Sequence, residues 1–302
     1  MKIQTSLSLL CIFLVVACGE ANTNQSPHLS THTSLSTAKA EAWTVKPINQ
    51  EWQTRNCNRE GQPCLEVIVN YPQFKGDNNA ITKIINQVIK QQVINVLGNY
   101  RFSENPNPKL PDLETVVQEL FLDFNQQIEP NSVLANHWMI EINGKQASAT
   151  PRTVTMSISE YSYLGGAHPN SRQTYLNFNK KTGQLIKIED FITNKELLLN
   201  LAEQKFREAY NLTPTQDLTA AGLFENQFVL PQNFAITQEG LRLFYNTYEI
   251  GPYAAGAYEI NIPWTRLEDV LKEDSIIDPE FSSSFNDRLM LESDALSDAT
   301  PS

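Results

Sequence analysis

Apolar and polar residues alternate through Leu65, Val67, Val69 and Tyr71, the period-2 pattern of a half-buried strand. The period then changes. Ile81, Ile84, Ile85, Val88, Ile89, Val93, Val96 and Leu97 form the i, i+3, i+4, i+7 stripe of a helix lying on a core. Asp77-Asn78-Asn79 supplies capping side chains at its start, and Gly98 stops it. Pro106-Asn107-Pro108-Lys109-Leu110-Pro111 reads as loop. A second helix is predicted from Asp112, with the stripe Leu113, Val116, Val117, Leu120, Phe121, Phe124 and Ile128, ended by Pro130. Strands follow at His137–Asn143 and Arg152–Tyr163, and Asn143-Gly144-Lys145 is a hairpin signal between them. The order strand, helix, helix, strand, strand predicts helices packed on one face of a mainly antiparallel sheet over residues 43–164.

A second unit is predicted over residues 165–272. Strands Gln173–Asn179 and Gln184–Ile188 flank Lys180-Lys181-Thr182-Gly183, where Gly183 provides a positive-φ position. Thr193 and Glu196 read as a capping box for a helix carrying Leu197, Leu198, Leu201, Ala202, Phe206 and Ala209. Three more strands follow, Asn233–Ile236, Leu241–Tyr248 and Ala257–Ile262, then a short helix Thr265–Leu271. The predicted fold class is α+β, as two units of mainly antiparallel sheet with packed helices.

The ends of the chain follow other rules. Lys2 precedes an apolar run from Leu7 to Ala17, too short to cross roughly 30 Å of hydrocarbon but suited to the core of a signal peptide. The run closes on Val15-Val16-Ala17-Cys18-Gly19, which resembles the lipobox of bacterial lipoproteins. That resemblance implies a signal peptide over residues 1–17 and lipidation of Cys18, with two or three acyl chains holding the protein stably on a membrane. An ordinary signal peptide that happens to carry a Cys is the alternative. In a host with two membranes, Gly19 stands where an Asp retains lipoproteins on the inner one. The expected location is therefore the outer membrane, facing the periplasm. Residues 18–42, rich in Ser, Thr, Asn and Ala, read as a flexible tether, and His28 and His32 as tether residues rather than metal ligands. Residues 273–302 hold eight acidic side chains and one basic one and read as a disordered tail.

Charge sharpens this picture. The chain of 302 residues carries 23 Lys+Arg against 34 Asp+Glu, a net charge of −11. Such a balance lacks the clustered cations that nucleic-acid phosphates demand. Much of the acidity belongs to the tail, which weakens the case for a strongly charged binding face. Beyond Cys11 and Cys18, two cysteines remain, Cys57 and Cys64. An exported location and the turn residues Gly61 and Pro63 favour a disulfide, with a zinc pair as the alternative. No metal site and no cofactor is predicted.

No G-x-S-x-G, H-E-x-x-H, Walker or G-x-G-x-x-G pattern is present. Two stretches stand out instead. In Tyr163-Leu164-Gly165-Gly166-Ala167-His168-Pro169, a strand breaks at two glycines. It reads either as a turn between units or as a loop presenting Tyr163 and His168 to a partner. The second stretch, Tyr245 to Tyr258, sets four tyrosines around a Gly-Pro bend. Tyr248 and Tyr253 are candidate recognition residues, whereas Tyr245 and Tyr258 alternate into strands and read as half-buried. The candidate ligand-binding set is thus Tyr163, Gly165, Gly166, His168, Pro169, Tyr248 and Tyr253.

The first stretch continues into Tyr175-Leu176-Asn177-Phe178, Lys181-Thr182-Gly183 and Glu189-Asp190-Phe191. Together with Tyr248-Glu249-Ile250-Gly251-Pro252-Tyr253-Ala254-Ala255-Gly256, these segments resemble the bacterial DUF3298 domain. Residues of about 43–160 are similar to the DUF4163 domain that usually precedes it. The architecture resembles the extracellular part of lysozyme-binding RsiV-type anti-sigma factors and the non-catalytic part of PdaC-type peptidoglycan deacetylases. A sigma-binding segment and a metal-binding deacetylase domain are both missing from this sequence. What the resemblance implies is a lipid-anchored, non-catalytic envelope module that recognises a lysozyme-like protein or a peptidoglycan-type glycan. The alternatives are an envelope-polymer hydrolase using His168, or a structural envelope protein.

Overall fold

A computed structural model of the protein describes residues 43–55, 57–59, 62–76, 78–102, 112–128 and 137–277. Cys18, the tether histidines, the loop at residues 106–111 and residues 278–302 lie outside the described residues. Among the described residues, no helix is long and apolar enough to cross a membrane.

The larger sheet has five strands in the order β1-β2-β3-β4-β5. They are β1 (Thr44–Gln53), β2 (Cys64–Lys75), β3 (His137–Ala149), β4 (Thr153–Tyr163) and β5 (Asn170–Asn179). All neighbours are antiparallel except β2 and β3, which run parallel. A parallel pair needs a crossover, and α1 (Asn79–Gly98) with α2 (Leu113–Gln127) supplies it. The α1 stripe buries Ile85, Ile89, Val93 and Leu97, and α2 buries Val116, Val117, Leu120 and Phe124. They pack on the sheet face that carries Val67, Val69, Ile140, Ile142, Met156, Ile158 and Phe178. Asn78 and Asp112 cap the two helices, accepting from the amides of Ala80 and Thr115.

The smaller sheet has the order β6-β7-β8, with β6 (Phe234–Ile236), β7 (Gly240–Tyr245) and β8 (Tyr258–Pro263). With α3 (Ile188–Phe191) and α4 (Lys195–Ala209) it encloses a second core around Phe206, Leu243, Tyr245, Ile260 and Trp264. The result is the predicted α+β class with two mainly antiparallel sheets. The five-stranded sheet takes β5 from beyond the 164/165 line, however, and the first core reaches Phe178 while the second begins at Ile186. Cys57 and Cys64 form a disulfide.

Several local expectations are corrected. β1 was not foreseen from the pattern, because TVKPINQEWQ is mostly exposed and its Pro47 suits only an edge strand. Asn143-Gly144-Lys145 is no hairpin turn, since β3 runs on to Ala149. A Cβ on Gly144 would lie 3.1 Å from Tyr71 Cβ and 3.2 Å from Pro72 Cδ, so glycine here allows a close approach of β2. Gln184–Ile188 is no strand. It makes a single bridge, Phe178 to Leu185, before α3 begins. The capping residue of α4 is Asn194, which accepts from Leu197 N, while Thr193 turns away and donates to Val270 O. The final helix is two 3-10 turns, Trp264–Arg266 and Glu268–Val270. The acidic tail begins docked, with Ile277 buried in the second core.

The two sheets meet through side-chain amides. β5 is the last strand of its sheet, so its outer backbone groups need partners. Asn246 accepts from Gln173 N at 2.7 Å and donates to Gln173 O at 3.1 Å. Asn233 accepts from Tyr175 N at 2.8 Å and donates to Gln173 O at 2.6 Å. In return Asn177, on β5, donates to Phe234 O at 2.7 Å and accepts from Ile236 N at 2.8 Å. Thr155 Oγ1 lies 2.8 Å from both Asn177 Oδ1 and Ile236 O. Each amide offers one donor and one acceptor side, as a peptide group does. Lower on β5, Ile186 N donates to Asn177 O and Asn179 N donates to Gln184 O.

Asn177→Ala strands buried donors and acceptors on both sides of this seam and is expected to cost roughly 3 kcal/mol. Gln91→Ala, on the exposed face of α1, is expected to stay within about 0.5 kcal/mol. Urea unfolding of the two variants checks the contrast.

Candidate functional site

The two sequence stretches converge at one end of the seam. β4 ends at Tyr163, and the chain turns through Gly165, whose φ of 78° only glycine adopts without strain. Gly166 has no such requirement, since a Cβ there would meet nothing within 4 Å. His168 and Pro169 then lead into β5. From the other side, β7 ends at Tyr245, and Asn246 to Gly251 make a bend closed by Glu249 N donating to Asn246 O at 3.0 Å. Pro252 precedes a 3-10 turn, Tyr253–Ala255.

The loops touch ring to ring. His168 stacks on Tyr253 with centroids 3.9 Å apart and an interplanar angle of 20°. Tyr253 Oη donates to Pro169 O at 3.0 Å, and His168 Nδ1 lies 3.0 Å from the same oxygen. A carbonyl only accepts, so Nδ1 carries the proton, and in the neutral ring Nε2 is the acceptor. Tyr248 extends the row, 5.8 Å from Tyr253. It is 54% exposed and Tyr253 37%. Tyr248 also holds φ at 70°, a left-handed conformation uncommon for a side-chain-bearing residue and characteristic of functional sites.

Of the predicted residues, His168, Pro169, Tyr248 and Tyr253 come together, and Gly165 shapes the loop that brings them. Tyr163 stays half-buried on β4, in register with Met139, outside the ring row. Tyr245 and Tyr258 are fully buried rather than half-buried, with hydroxyls donating to Val229 O and Ala221 O. Burial pushes the Tyr245 phenol far above its usual range.

Beside the ring row lies a groove that the motifs did not announce. One cavity of about 340 Å³ opens over the uncovered face of the large sheet, with Glu141, Asn143, Ser159 and Tyr161 on its floor and Phe244 on its wall. A second, of about 610 Å³, runs past Tyr175, Gln232, Tyr248 and Glu249. Arg172, Asn246 and Thr247 border both. Arg172 is legible in hindsight as the cross-strand partner of Glu160. Glu160 is the one strongly buried acid at the groove, with a side chain 8% exposed. Arg172 Nε stands 3.9 Å from it, and Tyr100 Oη donates to it at 3.3 Å. Desolvation raises the Glu160 carboxyl above its ordinary value, against the opposing pull of Arg172. Burial likewise raises the Tyr100 phenol.

The His168 ring faces Tyr253 and its hydrogen bond goes to a backbone carbonyl. Among the described residues, no hydrogen bond joins His168 to a Ser or a carboxylate. Cys57, Cys64 and Glu66 place ligand atoms within 4.8 Å of one another, and His137 Nε2 lies 3.2 Å from Glu66, yet both sulfurs are bonded to each other.

Residues 184–265 match the family described as DUF3298, a protein of unknown function. Residues 59–171, upstream of these, match the family described as Deacetylase PdaC. The peptidoglycan-N-acetylmuramic acid deacetylase PdaC of Bacillus subtilis is 25% identical over 143 residues, which cover 45% of this chain but only 30% of that protein. A DUF3298 family member from Bacteroides fragilis shares the fold with a TM-score of 0.60 and 20% identity, covering 78% of this chain and 96% of its own. Another, from Pseudomonas aeruginosa, has a TM-score of 0.58 and 18% identity over the same shares. The gap between the two family matches holds most of β5, the strand that joins the sheets. His168 lies in the PdaC match and Tyr253 in the DUF3298 match, so the ring stack spans both.

Because its carboxyl titrates above the ordinary range, Glu160 binds its proton more tightly in the folded chain than in the unfolded one. Its contribution is favourable at acid pH and is lost as pH rises through the folded value. Glu160→Gln keeps an acceptor for Tyr100 and removes the buried charge. Its Tm is expected to exceed that of the parent chain at pH 7, and the gain to vanish once Glu160 is protonated. Thermal melts across the acid-to-neutral range check both halves.

Proposed function

We propose that this chain is a non-catalytic binding module of the cell envelope, held to a membrane by lipid on Cys18, that captures an envelope glycan at the groove and ring row. The observation that carries the reading is the convergence of His168, Tyr253 and Tyr248 at the mouth of a groove lined by amides, hydroxyls and aromatic faces. Saccharides are bound by that combination: hydroxyls meet side-chain amides, and apolar sugar faces meet rings. The name of the Bacillus subtilis relative supports peptidoglycan as the first ligand to test. The apolar run ending at Ala17-Cys18 supports the anchor.

A second reading, capture of a lysozyme-like protein, is favoured by the exposure of Tyr248 and Tyr253, since tyrosines dominate protein-recognition hot spots. A hydrolase using His168 is disfavoured by the partners of its ring.

Tyr253→Ala removes the centre of the ring row and is expected to weaken ligand binding about tenfold. Calorimetric titration with peptidoglycan fragments and with lysozyme checks it, and no binding of either ligand by the parent chain would sink the reading. Cys18→Ala is expected to move the protein from the membrane to the soluble fraction and to abolish labelling by radioactive fatty acid.

A further inference from the structure

The face of the large sheet opposite α1 and α2 carries a second cluster, at the β1–β2 turn. Cys64 and Glu66 are two apart on β2 and share that face, while Leu65 and Val67 go to the core. His137 is the register partner of Cys64 on the parallel β3. Its Nε2 lies 3.2 Å from Glu66 Oε2. Cys57 reaches the cluster from the turn and is bonded to Cys64, with Cα atoms 4.7 Å apart. The ligand atoms of Cys57, Cys64 and Glu66 all lie within 4.8 Å of one another. Two sulfurs, an imidazole and a carboxylate therefore meet in one place. A further contact concerns the sulfur itself. Thr54 Oγ1 accepts from Leu65 N at 3.1 Å, so its own proton is left for Cys57 Sγ, 3.5 Å away. A disulfide sulfur accepts such a bond weakly and a thiolate accepts it strongly. The hairpin does not depend on the disulfide. β1 and β2 pair over ten residues, from Thr44 opposite Lys75 to Gln53 opposite Glu66, and Thr54 N donates to Leu65 O at 3.1 Å. Opening the disulfide frees Cys57 and leaves Cys64, Glu66 and His137 where the ladders hold them.

We propose that this cluster is a redox-gated zinc site: a dithiol reductant opens the Cys57–Cys64 disulfide, and Cys57, Cys64, Glu66 and His137 then bind one Zn²⁺. The reductant gives two electrons and two protons to the sulfurs and leaves as its own disulfide. Zn²⁺ displaces both protons as it binds, so the sulfurs ligate as thiolates. Two thiolates with a nitrogen and an oxygen donor suit zinc, whereas Mg²⁺ and Ca²⁺ take oxygen ligands. Bonds of about 2.3 Å from tetrahedral zinc set its thiolates roughly 3.8 Å apart, an opening that rotation about the two Cα–Cβ bonds supplies. By linkage, zinc draws the thiol–disulfide equilibrium toward the dithiol, and oxidation ejects the metal. None of these four residues lines the groove or the ring row, so the site stands apart from the glycan reading.

The test titrates the full chain with Co²⁺, a spectroscopic stand-in for zinc, once with the disulfide intact and once after reduction by a phosphine. The reduced chain is expected to take up one Co²⁺ with thiolate-to-metal charge-transfer absorption and the intense visible bands of a tetrahedral site. One equivalent of Zn²⁺ should erase them. The oxidised chain should show neither. Cys57→Ser combined with Cys64→Ser should abolish the bands, which rules out Cys11 and Cys18 as their source. His137→Ala and Glu66→Gln leave the disulfide in place, and each should weaken Co²⁺ binding by the reduced chain at least about tenfold, the cost of losing even an outer-shell partner. Added zinc should also raise the Tm of the reduced parent chain and not that of the oxidised one, a readout that needs no variant. A reduced chain without the charge-transfer band overturns the inference, and so does equal Co²⁺ binding by the oxidised chain. Bands and affinity unmoved by both His137→Ala and Glu66→Gln overturn the four-ligand site in favour of a bare dithiol.

Discussion

An edge strand cannot be left open. β5 closes a five-stranded sheet and would present a row of bare amides and carbonyls to water or to another chain. The protein settles this with asparagine. Asn233 and Asn246 reach from the small sheet to the backbone of Gln173 and Tyr175, and Asn177 reaches back to Phe234 and Ile236. No ladder joins the two sheets, yet side-chain amides pair Gln173 N and O and Tyr175 N on one edge and Phe234 O and Ile236 N on the other. The two apolar cores lie on either side of this seam rather than across it, so the mutual position of the sheets rests on polar contacts whose geometry is directional.

That arrangement also makes the site. The small sheet covers only part of the polar face of the large one, and the groove is what it leaves uncovered. Asn246 serves both ends of the argument, since it satisfies Gln173 and lines both cavities. Two residues further on, the chain throws Tyr248 outward in its left-handed conformation. Packing and recognition therefore share a single turn.

The sequence made the apolar framework legible wherever burial is one-sided and periodic. The stripes of α1 and α2 and the alternation of β2 read correctly because each has a dry face and a wet one. It failed where local chemistry was answering a distant need. Gly144 resembles a turn but makes room for Tyr71 and Pro72. Thr193 resembles a cap but serves Val270, 77 residues away. β1 exists by pairing with β2 and has little apolar pattern of its own. At the site, His168, Tyr248 and Tyr253 were readable as unusual residues in unusual loops. Arg172 was not, because a lone arginine in a strand has no local signature. Its place comes from the register that sets it opposite Glu160.

The stack of His168 on Tyr253 has a consequence for how the protein becomes competent. The two rings are 85 positions apart, on segments that match different families. Neither half carries the row alone. A chain with the first sheet formed and the second not yet docked would hold an open β5 edge and no ring row. The stack thus works as a certificate of completed assembly, issued only when both parts of the molecule have found each other.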